Sequence, residues 1–126
     1  MPRIRQIKPE FIEDEKMGSV CVHARYLFVA MIAMADDRGN MRGSPGYIRS
    51  RAFPYDDVSL SEVDGWINDL ERLGVVGLYV VEGETYAHIT KWDKHQKVSN
   101  PAKVYPIPGP DAADAAWNAS WLLQGA

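Results

Sequence analysis

The residues Ser59-Leu-Ser-Glu-Val-Asp-Gly-Trp-Ile-Asn-Asp-Leu-Glu-Arg-Leu-Gly74, followed by Val75-Val-Gly-Leu-Tyr-Val-Val-Glu-Gly-Glu-Thr-Tyr-Ala-His-Ile-Thr90, place two periodicities back to back. Ser59 and Glu62 are spaced as a capping box, and Val58 and Val63 flank it as a hydrophobic staple. Val63, Trp66, Ile67, Leu70 and Leu73 recur at helical spacing, with Gly74 placed to cap the C-terminus. A helix is therefore predicted over 60–73, with Trp66 in the core. Two strands, 75–81 and 84–90, then read as a hairpin turning at Glu82-Gly83. A two-residue turn puts Val76/Ile89, Leu78/Ala87 and Val80/Thr85 on one face, expected to be core, and Tyr79/Tyr86 and Gly77/His88 on the other.

Upstream, 20–36 centres on an apolar block, Tyr26 to Ala35, and a helix apolar on all sides belongs inside a fold. Asp37-Arg-Gly-Asn40 supplies turn chemistry, and Asn40-Met-Arg42 reads as a short extended piece. Ser44-Pro45 marks the start of a helix running toward Ala52 and ending before Phe53-Pro54. Downstream of Trp92, expected to seal the end of the sheet, the chain turns polar and then proline-rich. The expected organisation is a domain over 1–100, then a proline-rich linker and short tail helix over 101–126. The order helix, extended link, helix, helix, hairpin is that of a winged helix-turn-helix: an α+β fold with a three-helix core and a two-stranded wing, plus an N-terminal arm and C-terminal tail.

At 126 residues the chain fits one domain, and 46% apolar with 25% charged residues is too hydrophobic for a chain disordered throughout. One cysteine, Cys21, cannot form an internal disulfide or a multi-cysteine zinc site. The longest apolar run is about half of the roughly 20 residues that a membrane span needs, and the start lacks the apolar core of a signal peptide. A cytoplasmic protein without membrane attachment is expected. Net charge is −3, but unevenly spread. Arg3, Arg5 and Lys8 form one basic island and Arg38, Arg42, Arg49 and Arg51 another, while Lys91, Lys94, Lys97 and Lys103 face only Asp93. Residues 52–90 hold eight acids against Arg72 alone. Screening over roughly 8–10 Å lets a local basic face act despite a negative total.

The ordered set Pro2-Arg-Ile-Arg-Gln-Ile-Lys-Pro-Glu-Phe11, Glu13-Asp-Glu-Lys16, Ala35-Asp-Asp-Arg-Gly-Asn40, Phe53-Pro-Tyr-Asp-Asp57, Leu70-Glu-Arg-Leu-Gly74 and Thr90-Lys-Trp-Asp-Lys-His-Gln-Lys97 covers about residues 2–101. It resembles the N-terminal winged-helix domain of bacteriophage replication initiators, the replisome-organiser and DnaD-like group, especially from phages of actinobacteria. The resemblance implies binding to origin or other phage DNA, with a separate C-terminal domain handling the helicase or its loader. Within these 126 residues the expectation is DNA binding alone.

Candidate DNA contacts are Arg3, Arg5 and Lys8 as a basic arm, Arg42, Arg49 and Arg51 on and before the second helix, and Lys91, Lys94, His95 and Lys97 after the wing. Helix 60–73 is a poor groove reader, because Asp64, Asp69 and Glu71 would be repelled by phosphate. Tyr79, Tyr86 and His88 could stack on bases or pack on a neighbouring subunit, and a cross-strand tyrosine pair that only stabilises the hairpin is the preferred reading. Trp117, Trp121 and Leu122 in the tail are candidate partner contacts. The expected partners are double-stranded DNA, a second copy of the chain, and a replication or host protein.

No catalytic pattern stands out. His23, His88 and His95 have no metal-ligand spacing, there is no phosphate-cradling glycine loop, and Asp36-Asp37 and Asp56-Asp57 read as exposed turn clusters rather than a magnesium site. No enzyme activity, metal or cofactor is expected. The rival to DNA binding is an interaction module that holds a host or phage protein through the acidic helix 60–73 and the tryptophan tail.

Overall fold

The computed structural model describes residues 4–97 and 105–106. Two single-turn helices, α1 (Glu10–Glu13) and α2 (Glu15–Gly18), precede α3 (Val22–Met34). Then come β1 (Asn40–Arg42), α4 (Pro45–Ala52), α5 (Leu60–Arg72), β2 (Val76–Val81), β3 (Glu84–Ile89) and a final turn, α6 (Trp92–His95). The three main helices α3, α4 and α5 pack together, and the hairpin follows them. β1 joins that hairpin, so the sheet is antiparallel in the order β1-β3-β2. This α+β fold is consistent with a winged-helix arrangement, with one more strand than the two-stranded wing expected.

The capping box forms as its spacing requires. Ser59 Oγ accepts from the Glu62 N–H at 3.0 Å, and Glu62 Oε1 accepts from the Ser59 N–H at 2.9 Å. Val63, Ile67 and Leu70 are buried. Trp66 differs from expectation: it is only half-buried, because its ring covers the edge of the core, stacked on exposed His23 at 4.8 Å. The hairpin has the expected register, Val76 opposite Ile89 through Val81 opposite Glu84. Both turn residues take positive φ, Glu82 at 49° and Gly83 at 81°, as a type I′ turn demands.

α3 starts two residues later than predicted. Cys21 is extended there, and the Ser19 hydroxyl donates back to the Lys16 carbonyl at 2.7 Å, which closes α2. Nor is α3 enclosed on every side, since Tyr26 is 51% exposed. The helix ends where Asp36 takes over the backbone: its Oδ1 accepts from the N–H groups of Arg38 (2.9 Å) and Asn40 (3.0 Å). Asp36 and Asp37 are therefore buried at 5% exposure each, not the exposed cluster expected. Gly39 takes φ 86° in this turn, and a side chain there would strike the Trp92 ring at 2.8 Å. Gly43 lets the chain leave β1 close to β3, where an added Cβ would sit 2.8 Å from the Tyr86 carbonyl carbon.

The second face of the hairpin is also covered. Tyr79 is 1% exposed, and its hydroxyl donates to the Pro106 carbonyl at 2.5 Å. Tyr105 and Pro106, expected in a linker, thus lie against the sheet, where the Tyr105 N–H donates to Asp36 Oδ2 at 3.1 Å. Trp92 is buried as expected, and its indole N–H donates to the Asp37 carbonyl at 2.8 Å. Among the described residues no helix is long and apolar enough to cross a membrane.

Candidate nucleic-acid interface

α4 presents Tyr47 and Arg51 on one face, because residues four apart align along a helix. The Arg51 guanidinium lies over the Tyr47 ring at 5.4 Å, and that of Arg42, from the end of β1, at 5.8 Å. Both arginines are exposed, and among the described residues neither meets a carboxylate at ion-pair distance. Tyr86 faces Arg42 across the β1–β3 ladder, and the Tyr105 ring lies 6.4 Å from that of Tyr86. The Tyr105 phenol is raised above the usual tyrosine range by its hydrogen bond to Tyr47 first and by burial second, with Arg42 and Arg51 opposing. Two cations and three half-buried tyrosines, Tyr47, Tyr86 and Tyr105, therefore share one site.

A second basic group forms where the arm meets α6. Gln96 pairs with the backbone of Gln6, accepting at 2.9 Å and donating at 2.8 Å, and the Lys8 ammonium donates to the Lys94 carbonyl at 3.4 Å. Lys8, Lys91 and Lys94 surround His95, whose pKa is lowered by burial first and then by these three lysines. Lys97 is exposed beside them in sequence. Tyr86 and Thr90, four residues apart along and just beyond β3, separate the two basic groups by roughly 13 Å of chain.

Other predicted contacts go elsewhere. Arg5 turns inward: its guanidinium pairs with Asp37 at 3.1 Å, donates to the Ala35 carbonyl at 3.2 Å and lies over the Trp92 ring at 5.1 Å. Its side chain is 8% exposed, so it ties the arm to the body. Arg49, two residues before Arg51, falls about 200° round α4 and does not join the Tyr47 group. Arg3, Lys103, Trp117, Trp121 and Leu122 lie outside the described residues. Two members of the site, Tyr47 and Tyr105, were not singled out in the sequence. The spacing of Tyr47 to Arg51 was a usable signal, whereas Tyr105 arrives only because the chain returns to the sheet.

The surface of α5 is acidic. Glu62, Asp64 and Glu71 are exposed, and its single arginine, Arg72, pairs with Asp69 at 2.8 Å. Among the described residues no group of three or more His, Cys, Asp or Glu is placed to hold a metal ion. A cavity of about 670 Å³ lies between the arm and α3, floored by Phe11, Phe28, Ile32 and Ile89 and rimmed by both signs of charge, Lys8 and Lys91 with Glu10 and Glu13. Comparison of the chain with protein-family models, curated proteins and solved structures finds no match.

Proposed function

We propose that this chain is a DNA-binding protein that uses its winged-helix-like body to hold phosphates at Arg42 and Arg51, with Lys8, Lys91, Lys94 and Lys97 adding a second, weaker contact. The observation that carries this reading is the pair of exposed guanidinium groups on Tyr47, free of ion-paired carboxylates among the described residues. Arginine in that state keeps its charge and its fork of donors for phosphate oxygen. The motif resemblance supports the finer form of the proposal, a role in initiating phage replication or in regulation at a phage site.

The test is fluorescence anisotropy with labelled DNA at low salt. Arg42→Glu combined with Arg51→Glu should weaken binding at least ten-fold on every sequence tried, and Arg49→Glu should have the smaller effect. Binding unchanged by the double reversal, or no binding by the wild-type chain, overturns the proposal.

A second reading is a protein-interaction module. It is favoured by Val22 at 66%, Tyr26 at 51% and Leu60 at 46% exposure, near the half-open His23–Trp66 stack and the acidic face of α5. Under that reading Tyr26→Ser with Val22→Ser abolishes capture of a host or phage protein, and the arginine reversals leave it intact.

A further inference from the structure

The winged-helix arrangement offers duplex DNA two instruments, a helix for the major groove and a wing for the neighbouring backbone or minor groove. Both carry the wrong charge here. On α5 the exposed Glu62, Asp64 and Glu71 would approach two phosphate walls, and the one cation is committed to Asp69. At the wing tip, Glu82 and Glu84 are exposed on either side of Gly83, and Glu84 Oε2 also accepts from the Tyr86 hydroxyl at 3.4 Å, at the edge of the basic site. The basic site lies instead at the β1–α4 junction, and aromatic rings are interleaved with its cations.

That composition fits a strand whose bases are free. In a closed duplex the base faces are covered by their neighbours, so a tyrosine has nothing to stack on, whereas an unpaired strand offers a base face for every phosphate. Tyr47 carries Arg42 and Arg51 at 5.8 and 5.4 Å, and Tyr86 and Tyr105 follow with ring centroids 6.4 Å apart. Guanidinium planes as well as rings accept a stacked base, and each guanidinium also reaches a phosphate.

We infer that the ligand of the Arg42–Tyr47–Arg51–Tyr86 site is single-stranded DNA rather than closed duplex. This rests on the DNA-binding reading above and narrows it to a substrate class. The site contacts the strand by stacking and phosphate pairing, without reading base edges, so base sequence matters little.

The experiment compares a labelled single strand of mixed sequence with the blunt duplex of the same sequence, by anisotropy at fixed low salt. The wild-type chain should bind the single strand at least ten-fold more tightly. Tyr47→Ala and Tyr86→Ala should each weaken single-strand binding about five-fold or more, and Tyr86→Phe should retain the wild-type value. Circular dichroism confirms that each variant is folded, and the wild-type comparison needs no variant at all. Equal or tighter duplex binding, or alanine variants that bind the single strand normally, overturns the inference and leaves DNA binding standing. Failure to bind either probe removes both.

Discussion

His88 lies on β3 opposite Asn40, with its Nδ1 and Asn40 Oδ1 2.7 Å apart. Burial pushes its pKa down to about 4, against the opposing pull of Asp93 and Asp36. A histidine held neutral in the fold protonates first in the unfolded chain, so the unfolded state binds more protons between the two values. Stability is therefore complete above about pH 6.5 and falls as the pH drops toward the folded value near 4. Over the upper part of that window, pH 6.5 to 5, the loss amounts to about 2 kcal/mol. Urea midpoints measured across this range should fall for the wild-type chain, and His88→Gln should flatten the decline. Nothing in the sequence signalled this neutral histidine, since its burial depends on which chain covers the outer face of the hairpin. Arg5 was misleading for the same reason: beside Arg3 and Lys8 it reads as part of a solvated arm, and only the buried Asp37 explains its inward turn.

At the level of elements, the strongest local signals were those that close on themselves. The capping box and staple located α5 to within a residue at its C-terminus, and Glu82-Gly83 set the hairpin register, because both are satisfied by neighbours in sequence. Ser44-Pro45 placed α4 through the proline at its first turn, since the Ser44 side chain makes no capping hydrogen bond. α1, α2 and α6 had no such signal; at four residues each they are too short to show helical periodicity. The β1–α4 joint depends on a long-range approach instead. Gly43→Ala would drive a Cβ to 2.8 Å from backbone of β3, which cannot rotate aside. The expected result is a loss of roughly 1–3 kcal/mol in denaturant unfolding and, under the proposed function, weaker DNA binding because Arg42 shifts with the strand. An alanine at exposed Gly65 meets nothing within 4 Å, and it should be neutral or slightly stabilising in the same assay.

For the whole molecule, the element order was readable, but the gathering of charge was only partly so. Two of the predicted arginines converge on a tyrosine, the lysines collect around His95, and Arg5 and Arg49 take separate places. Charge runs in a sequence tell which segments are basic, whereas convergence depends on the register of β1 with β3 and on the turn of α4. The boundary near residue 100 illustrates the same limit, since proline-rich composition does not reveal that Tyr105 and Pro106 cover Tyr79. Removing residues 101–126 should lower stability by about 1–2 kcal/mol, through the lost Pro106 acceptor and the uncovered rings. Thermal melting of the shortened chain checks this, and an unchanged transition would contradict the packing described.

Asp36 and Asp37 receive the chain from both directions: Arg5 and Trp92 reach Asp37, and the Tyr105 backbone reaches Asp36. Asn40, which opens β1, also donates its N–H to Asp36. The strand that positions Arg42 is thus anchored at one corner to which the leading and trailing segments are both fastened. Tension drawn through the leading arm would load the Arg5–Asp37 pair, and through the turn from Asp36 to Asn40 it would reach the strand that carries Arg42.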